Sequence, residues 1–427
     1  MRIGLAHVDI TPRVGGELCG FASRVQPGVG VLDPLQAKAL YLTDGSRRLL
    51  WIHCDLIGFD PSIIAAFRRW AFTEFGLEPA ELMLSATHTH SGPGTLQLDE
   101  AGRFDPDYIE FLLDKLHVVA RDALARMEEC DLVTAHGQLE LAVDRRKQPS
   151  SHTDPCVVGA GFRRSDGTFA AVILNYAIHP VALGSVNRAV SSDIMGRAAD
   201  ALANQLPGHP MVFATNGACG NLNPPATDVP LHQVVSWGCQ IAAAITPRLL
   251  AAKAQKQATF STVARSCLLP LEVVAPAELA AYANAAIARG PSSTAWRIKY
   301  RGVIERWRDA LLADWKNGPV PHQREVELFA IDLGGLVFLG INAEVFSRFT
   351  EWIRGTTGRR VCIVAYANGN LGYLCTREAY AEGGYEVDDA HFFYGGYRFQ
   401  AGALEILAES AADLLRALPP PSEFPAP

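Results

Sequence analysis

The chain predicts a mixed α/β fold: one large single domain with mixed β-sheets flanked by helices. Three observations carry that reading. Short β-prone runs and runs of helical periodicity are interleaved along the whole length. No Gly/Ser/Pro-rich linker is long enough to part them into separate domains. A composition of 49% hydrophobic and 19% charged residues over 427 positions supplies a sizeable core and excludes disorder over most of the chain.

In order, residues 2–8, 36–42 and 48–54 read as strands punctuated by Gly, Pro and Asp. Asp60 and Pro61 open a helix over 61–75 that Gly76 ends. Residues 82–86 form a short buried strand. Residues 105–129 carry Tyr108, Leu112, Leu116 and Val119 at helical spacing and predict one long amphipathic helix. Strands follow at 132–143, 156–162 and 169–177. Ser192 and Asp193 cap a helix ending near Pro207. A buried strand at 211–214 precedes an Ala-rich helix at 231–253 and a strand at 259–273. Residues 276–316 are helical with a break at Gly290-Pro291, and they define an inserted helical pair at 276–318. Residues 326–333 and 336–341 pair as a hairpin across Gly334-Gly335. A helix at 344–356, a strand at 361–367 and a last helix at 402–418 complete a catalytic-type domain over 1–418. Residues 419–427 form a disordered Pro-rich tail.

The formal charge of -7 gives no global electrostatic reason to bind nucleic acid or an anionic membrane. Nine cysteines, an odd number without any CxxC, argue against a disulfide framework or a thiolate metal knuckle. The N-terminus lacks an apolar core of ~7–15 residues typical of a signal peptide. No run of ~18 uninterrupted apolar residues predicts a membrane span. The expected compartment is the cytoplasm and the expected partner a small molecule, without stable membrane insertion; homo-oligomerisation stays open.

Four loops after short buried strands carry chemistry-bearing residues. In Thr87-His88-Thr89-His90-Ser91-Gly92-Pro93-Gly94, two histidines that continue the preceding strand would project to one side. They suit a metal site, an acid/base pair, or simply two hydrogen-bonded loop histidines. His179 ends an apolar strand and is stopped by Pro180, a place for a ligand or a structural histidine. The loop 215–224, with two Gly and three Asn, can offer N–H groups to an oxyanion or form a plain tight turn. Cys219 within it has no base coupled to it. The fourth loop, 367–373, leads to Tyr373, Tyr380 and Tyr385. Arg145-Arg146-Lys147 is either a solvated run or a seat for a polar or anionic substrate group.

Together, and in this order, these motifs resemble the catalytic domain of the neutral/alkaline (non-lysosomal) ceramidase family of zinc amidases. VDITP, SATHTHSGPG, NYAIHP, SSDIMGRA, NGACGNLNP, NAEVFSRF and NGNLGYLCTREAYAEGGYE carry the likeness over about residues 1–410. The resemblance implies one Zn2+ held by His88, His179, Glu344 (at a helix start) and Tyr373. It implies substrate contacts at Gly20, His90, Arg145 and Tyr385. The implied reaction is hydrolysis of an amide by metal-activated water, with His90 moving protons and Tyr385 and Arg145 orienting the carbonyl or a polar substituent. Asp55 is either an acceptor fixing a zinc-bound histidine or a strand-end cap.

Three departures bear on the substrate. Asn223 stands where the family has a serine, and its amide can donate to an oxyanion but cannot act as a nucleophile. The chain stops where a ceramidase continues into a β-sandwich, and it shows no secretion signal. A soluble N-acyl compound or oligoamide is therefore expected in place of ceramide. A zinc esterase or cyclic-amide hydrolase on the same site is the alternative, as is a degenerate ligand-binding paralogue. The insert's Trp296, Tyr300, Trp307 and Trp315 either cover the pocket or pack as an aromatic stripe.

Overall fold

The computed structural model of the protein describes residues 1–256, 258–291 and 294–419. All but the first residue of the predicted tail lies outside the described residues. The core is built from three sheets. The first runs Leu82–Ala86, Arg48–Cys54, Gln36–Thr43, Arg2–Asp9, Met127–Glu129 across its width. The second runs Met211–Asn216, Phe169–Tyr176, Cys156–Arg163, Asp131–Gln138. The third runs Phe260–Pro270, Gln323–Leu333, Leu336–Ile341, Arg360–Val364.

Strand alternation sends side chains to opposite faces, and each sheet uses both faces. Inner-face residues of the three sheets meet in one apolar centre: Trp51 and Met83 from the first, Phe162 and Phe213 from the second, Phe329 and Phe338 from the third. Trp51 meets Phe338 edge-on at 5.8 Å. Burying each such side chain contributes about 1.5–3 kcal/mol. Their outer faces are covered by helices. Leu50 and Ile52 pack under Ile63 and Phe67 of Pro61–Phe75 and under Leu112 and Leu116 of Pro106–Ala125. Asp193–Gln205 and Leu231–Ala251 cover the second sheet. Arg348–Thr357 and Ala403–Arg416 cover the third.

Every sheet contains one parallel pair, and these pairs position the site. Arg48–Cys54 runs parallel to Leu82–Ala86, Phe169–Tyr176 to Met211–Asn216, and Leu336–Ile341 to Arg360–Val364. Their carboxyl ends are knitted together. Ala365 N donates to Asn216 O at 3.0 Å and Asn368 N to Leu84 O at 2.7 Å. The loops leaving these ends therefore converge, as expected for ligand sites outside the carboxyl ends of parallel strands.

Local expectations met the structure unevenly. Asp60 caps Pro61–Phe75 through Ser62 N, and Gly76 ends it at φ 63°, as its chemistry predicts. The hairpin turn at Gly334-Gly335 has both residues at positive φ, the primed geometry that matches strand twist. The predicted helix over 105–129 is shorter: Pro106–Ala125 stops at Arg126, and Met127–Glu129 pairs with the first strand. The predicted helix at 344–356 also splits. Glu344–Val345 is a two-residue strand parallel to Tyr373–Leu374, and the helix begins only at Arg348. Long-range pairing overrides local propensity in both places. Leu231–Ala251 is long and apolar enough to cross a membrane by length and composition. Here one face, including Val234, Ile241 and Ile245, packs into the core.

The helical insert is present as Pro276–Arg289 and Thr294–Asn317. It is fastened by its polar groups: Tyr300 OH donates to Asp389 at 2.6 Å and Trp307 Nε1 to Gly396 O at 2.7 Å. Arg306 pairs with Asp99 at 2.9 Å and Lys299 with Glu100 at 3.3 Å.

Candidate metal centre and catalytic pocket

The expectation that His88 and His90 share a strand face is corrected. The strand ends at Ala86, and His88 adopts φ 60°, a left-handed conformation that turns the backbone out of the strand. The turn still brings the rings together, with the two Nε2 atoms 3.2 Å apart. His179, arriving from the second sheet after Tyr176, completes a buried group in which the three histidine donors lie within 4.8 Å of one another.

Tautomers are fixed by the backbone. His88 Nδ1 donates to Ile57 O at 2.5 Å, and His179 Nδ1 donates to Cys219 O at 3.0 Å. A carbonyl can only accept, so both Nδ1 atoms carry the proton and both Nε2 atoms present lone pairs. His179 Nε2 is buried and has no hydrogen-bond partner. Glu344 Oε2 stands 3.4 Å from His88 Nε2 and 3.5 Å from His179 Nε2. Two imidazole lone pairs and a carboxylate oxygen converging on one point, one of them orphaned, fit a metal ion. Asp55 has no part in fixing these tautomers: it accepts from Gln36 N at 3.0 Å, as a strand-end cap.

Two residues that spacing alone did not single out hold this centre. Tyr394 donates a short hydrogen bond to Glu344 Oε1 and is itself engaged by Asn370 Nδ2 at 3.1 Å. Tyr366 stacks on His88, with centroids 3.9 Å apart and planes 2° apart. Burial pushes the Cys219 thiol up to about 12, so it stays protonated against Tyr366 OH and is no nucleophile.

The remaining expected residues also gather here. A cavity of about 390 Å3 is lined by Gly20, His90, Arg145, His179, Asn223, Tyr373 and Tyr385, with Trp296 and Phe393 among its walls. The insert thus does both things weighed for it: Trp296 reaches the cavity while Tyr300 and Trp307 pack and anchor. Gly20, at φ 107°, is needed for space; a Cβ there would sit 2.4 Å from His90 Cγ. Burial, with His88, Arg24 and Arg145 nearby, holds His90 well below the usual histidine pKa and therefore neutral. Tyr373 pairs in register with Glu344, and its hydroxyl accepts from Arg145 Nη2 at 3.1 Å.

Three backbone N–H groups of the loop 215–224 are engaged within the fold, in favour of the tight-turn alternative at those positions. Gly217 N donates to Tyr176 O, Gly220 N to Val345 O and Leu222 N to Cys219 O. Asn223 is different: its Oδ1 accepts from Arg145 Nη1 at 3.1 Å, which leaves the amide nitrogen as its available donor.

A histidine–carboxylate group stands at the joined ends of three parallel strand pairs, an arrangement whose donors fit a metal ion. The family description "Neutral/alkaline non-lysosomal ceramidase, N-terminal" matches residues 1–255. The chain belongs to that family. Neutral ceramidase of Pseudomonas aeruginosa is 27% identical over 250 residues, 52% of this chain and 37% of that protein. The alignment thus spans well under half of the curated relative. A structure described as ceramidase complexed with C2 superposes with TM-score 0.73 at 18% identity, covering 100% of this chain and 77% of the other. Neutral ceramidase from Pseudomonas aeruginosa gives TM-score 0.71 at 19% identity, covering 100% and 76%. These structures share the mixed α/β fold.

Proposed function

We propose that this chain is a zinc-dependent hydrolase that cleaves the amide bond of a soluble N-acyl or oligoamide substrate. The observation that carries the reading is the orphaned His179 Nε2, aimed with His88 Nε2 at the oxygen of Glu344. His88, His179 and Glu344 would hold the ion, with Tyr373 beside them. Zinc, when bound, supplies a water activated near neutral pH and a Lewis acid for the carbonyl. Neutral His90 can take a proton from the attacking water and return it to the leaving nitrogen. Asn223 Nδ2 would donate to the developing oxyanion, and Tyr385 would orient the substrate. No serine nucleophile is required at position 223.

The relatives are named as ceramidases; a soluble N-acyl substrate in place of ceramide is the departure proposed for this chain. Residues 1–418 would form one catalytic domain with a helical insert at 276–318. The proposed location is the cytoplasm, which nine free cysteines support. Metal analysis of the purified protein should find about one zinc per chain, and His88→Ala should remove both zinc and turnover. Full amidase activity in a zinc-free protein sinks the proposal. A panel of matched N-acyl amides and esters decides between amidase and esterase.

A further inference from the structure

Arg145 is the one formally charged side chain lining the catalytic cavity among the described residues. A cation at such a position ordinarily reads as a seat for a substrate carboxylate. Its surroundings say otherwise. Nε donates to Glu386 Oε1 at 2.6 Å, Nη1 to Asn223, and Nη2 to both Gly220 O and Tyr373 OH. Four of the five N–H groups of a guanidinium are thereby committed, so no bidentate face remains for a ligand. The charge is cancelled as well. Glu386, with its side chain only 4% exposed, lies behind Arg145 and bridges to Arg146 Nη1 at 2.8 Å. Arg146 has a further carboxylate neighbour, Glu382, at 3.6 Å. Two arginines and two glutamates form a closed, neutral cluster.

From this we infer that Glu386 is a specificity-determining residue that disfavours amides carrying a carboxylate beside Arg145. A substrate carboxylate seated against Arg145 would lose its water and find that guanidinium already neutralised, a cost of burial without a partner. Exclusion of this kind works by withholding a partner charge, and removing Glu386 should supply one. The inference rests on the reading of this cavity as the amide site, and it removes N-acyl amino acids from the substrates that reading allows.

The test uses a matched pair sharing one acyl chain, N-hexanoyl-2-aminoethanol (uncharged) and N-hexanoylglycine (carboxylate). Calorimetry gives the Kd of each on the zinc-loaded enzyme, and turnover is followed in parallel. The wild type should favour the uncharged member by about tenfold or more. Glu386→Gln should shrink or reverse that ratio by about tenfold, while Glu386→Asp, which keeps the charge, should retain it. Thermal unfolding establishes that each variant is folded. Equal or tighter binding of the carboxylate by the wild type overturns the inference whether or not a variant folds. An unmoved ratio in folded Glu386→Gln overturns it too, as does no binding of either compound. Binding with the predicted ratio but no turnover of either compound instead removes the amide-hydrolase reading and leaves the role of Glu386 standing.

Discussion

Glu344 and Glu386 are both buried carboxylates, one against the histidine group and one against Arg145, and they are satisfied in opposite ways. Glu386 is saturated by two guanidinium groups. Glu344 meets the Nε2 lone pairs of two neutral-tautomer imidazoles and hydroxyls from Tyr394 and Tyr366, with no ammonium or guanidinium bonded to it. A buried charge needs a cation, and only one of these two has it within the protein. The difference separates a carboxylate that shapes the pocket from one that waits for an ion.

Glu344→Gln should have the largest effect. Metal affinity, read by competition with a chromogenic chelator, should fall by more than about 100-fold, beyond what outer partners of a metal site cost. The metal-free protein should lose no thermal stability, because the uncompensated charge is gone. A clear fall in its melting temperature would place Glu344 in the framework instead.

Asp55 is a third buried carboxylate, bonded to neither a guanidinium nor a metal. Burial raises its pKa to about 6 from 3.8. Because the folded value is the higher one, its contribution to stability is full below about pH 4 and is lost as pH rises through about 6. Two pKa units correspond to about 3 kcal/mol. Urea unfolding across that range should show the decline, and Asp55→Asn should flatten it. An equal slope in both proteins refutes the assignment.

The mildest change is Tyr394→Phe, which frees Glu344 Oε1 and leaves Oε2 unaltered. Zinc affinity should drop about 10- to 100-fold with little change in the metal-free melting curve. Unchanged affinity would show that the hydroxyl does not position the carboxylate.

Much of this was legible in the chain because it is local. The Asp60-Pro61 start and Gly76 stop, the paired glycines at 334–335 and the buried strand Leu82–Ala86 each declare themselves within a few residues. The histidines, Glu344, Arg145, Asn223, Tyr373 and Tyr385 were found by motif and do converge. What was not legible depends on distance. Glu344 reads as a helix start until it is known to pair with Tyr373. Tyr394 lies in a HFFYGG stretch with no spacing signal, and its role exists only once Asn370 and Glu344 are brought to it. The left-handed turn at His88 contradicts the alternation that a strand would give.

The two-residue pairing of Glu344–Val345 with Tyr373–Leu374 has a kinetic consequence. The histidine tautomers are set by carbonyls 31 and 40 residues away, within the first 220 residues of the chain. The carboxylate that completes the centre comes more than 160 positions after His179 and is held by contacts that close large loops, which form late and slowly. Tight capture of a metal is therefore a property of the finished chain, and it acts to hold the molecule together more than to help it assemble.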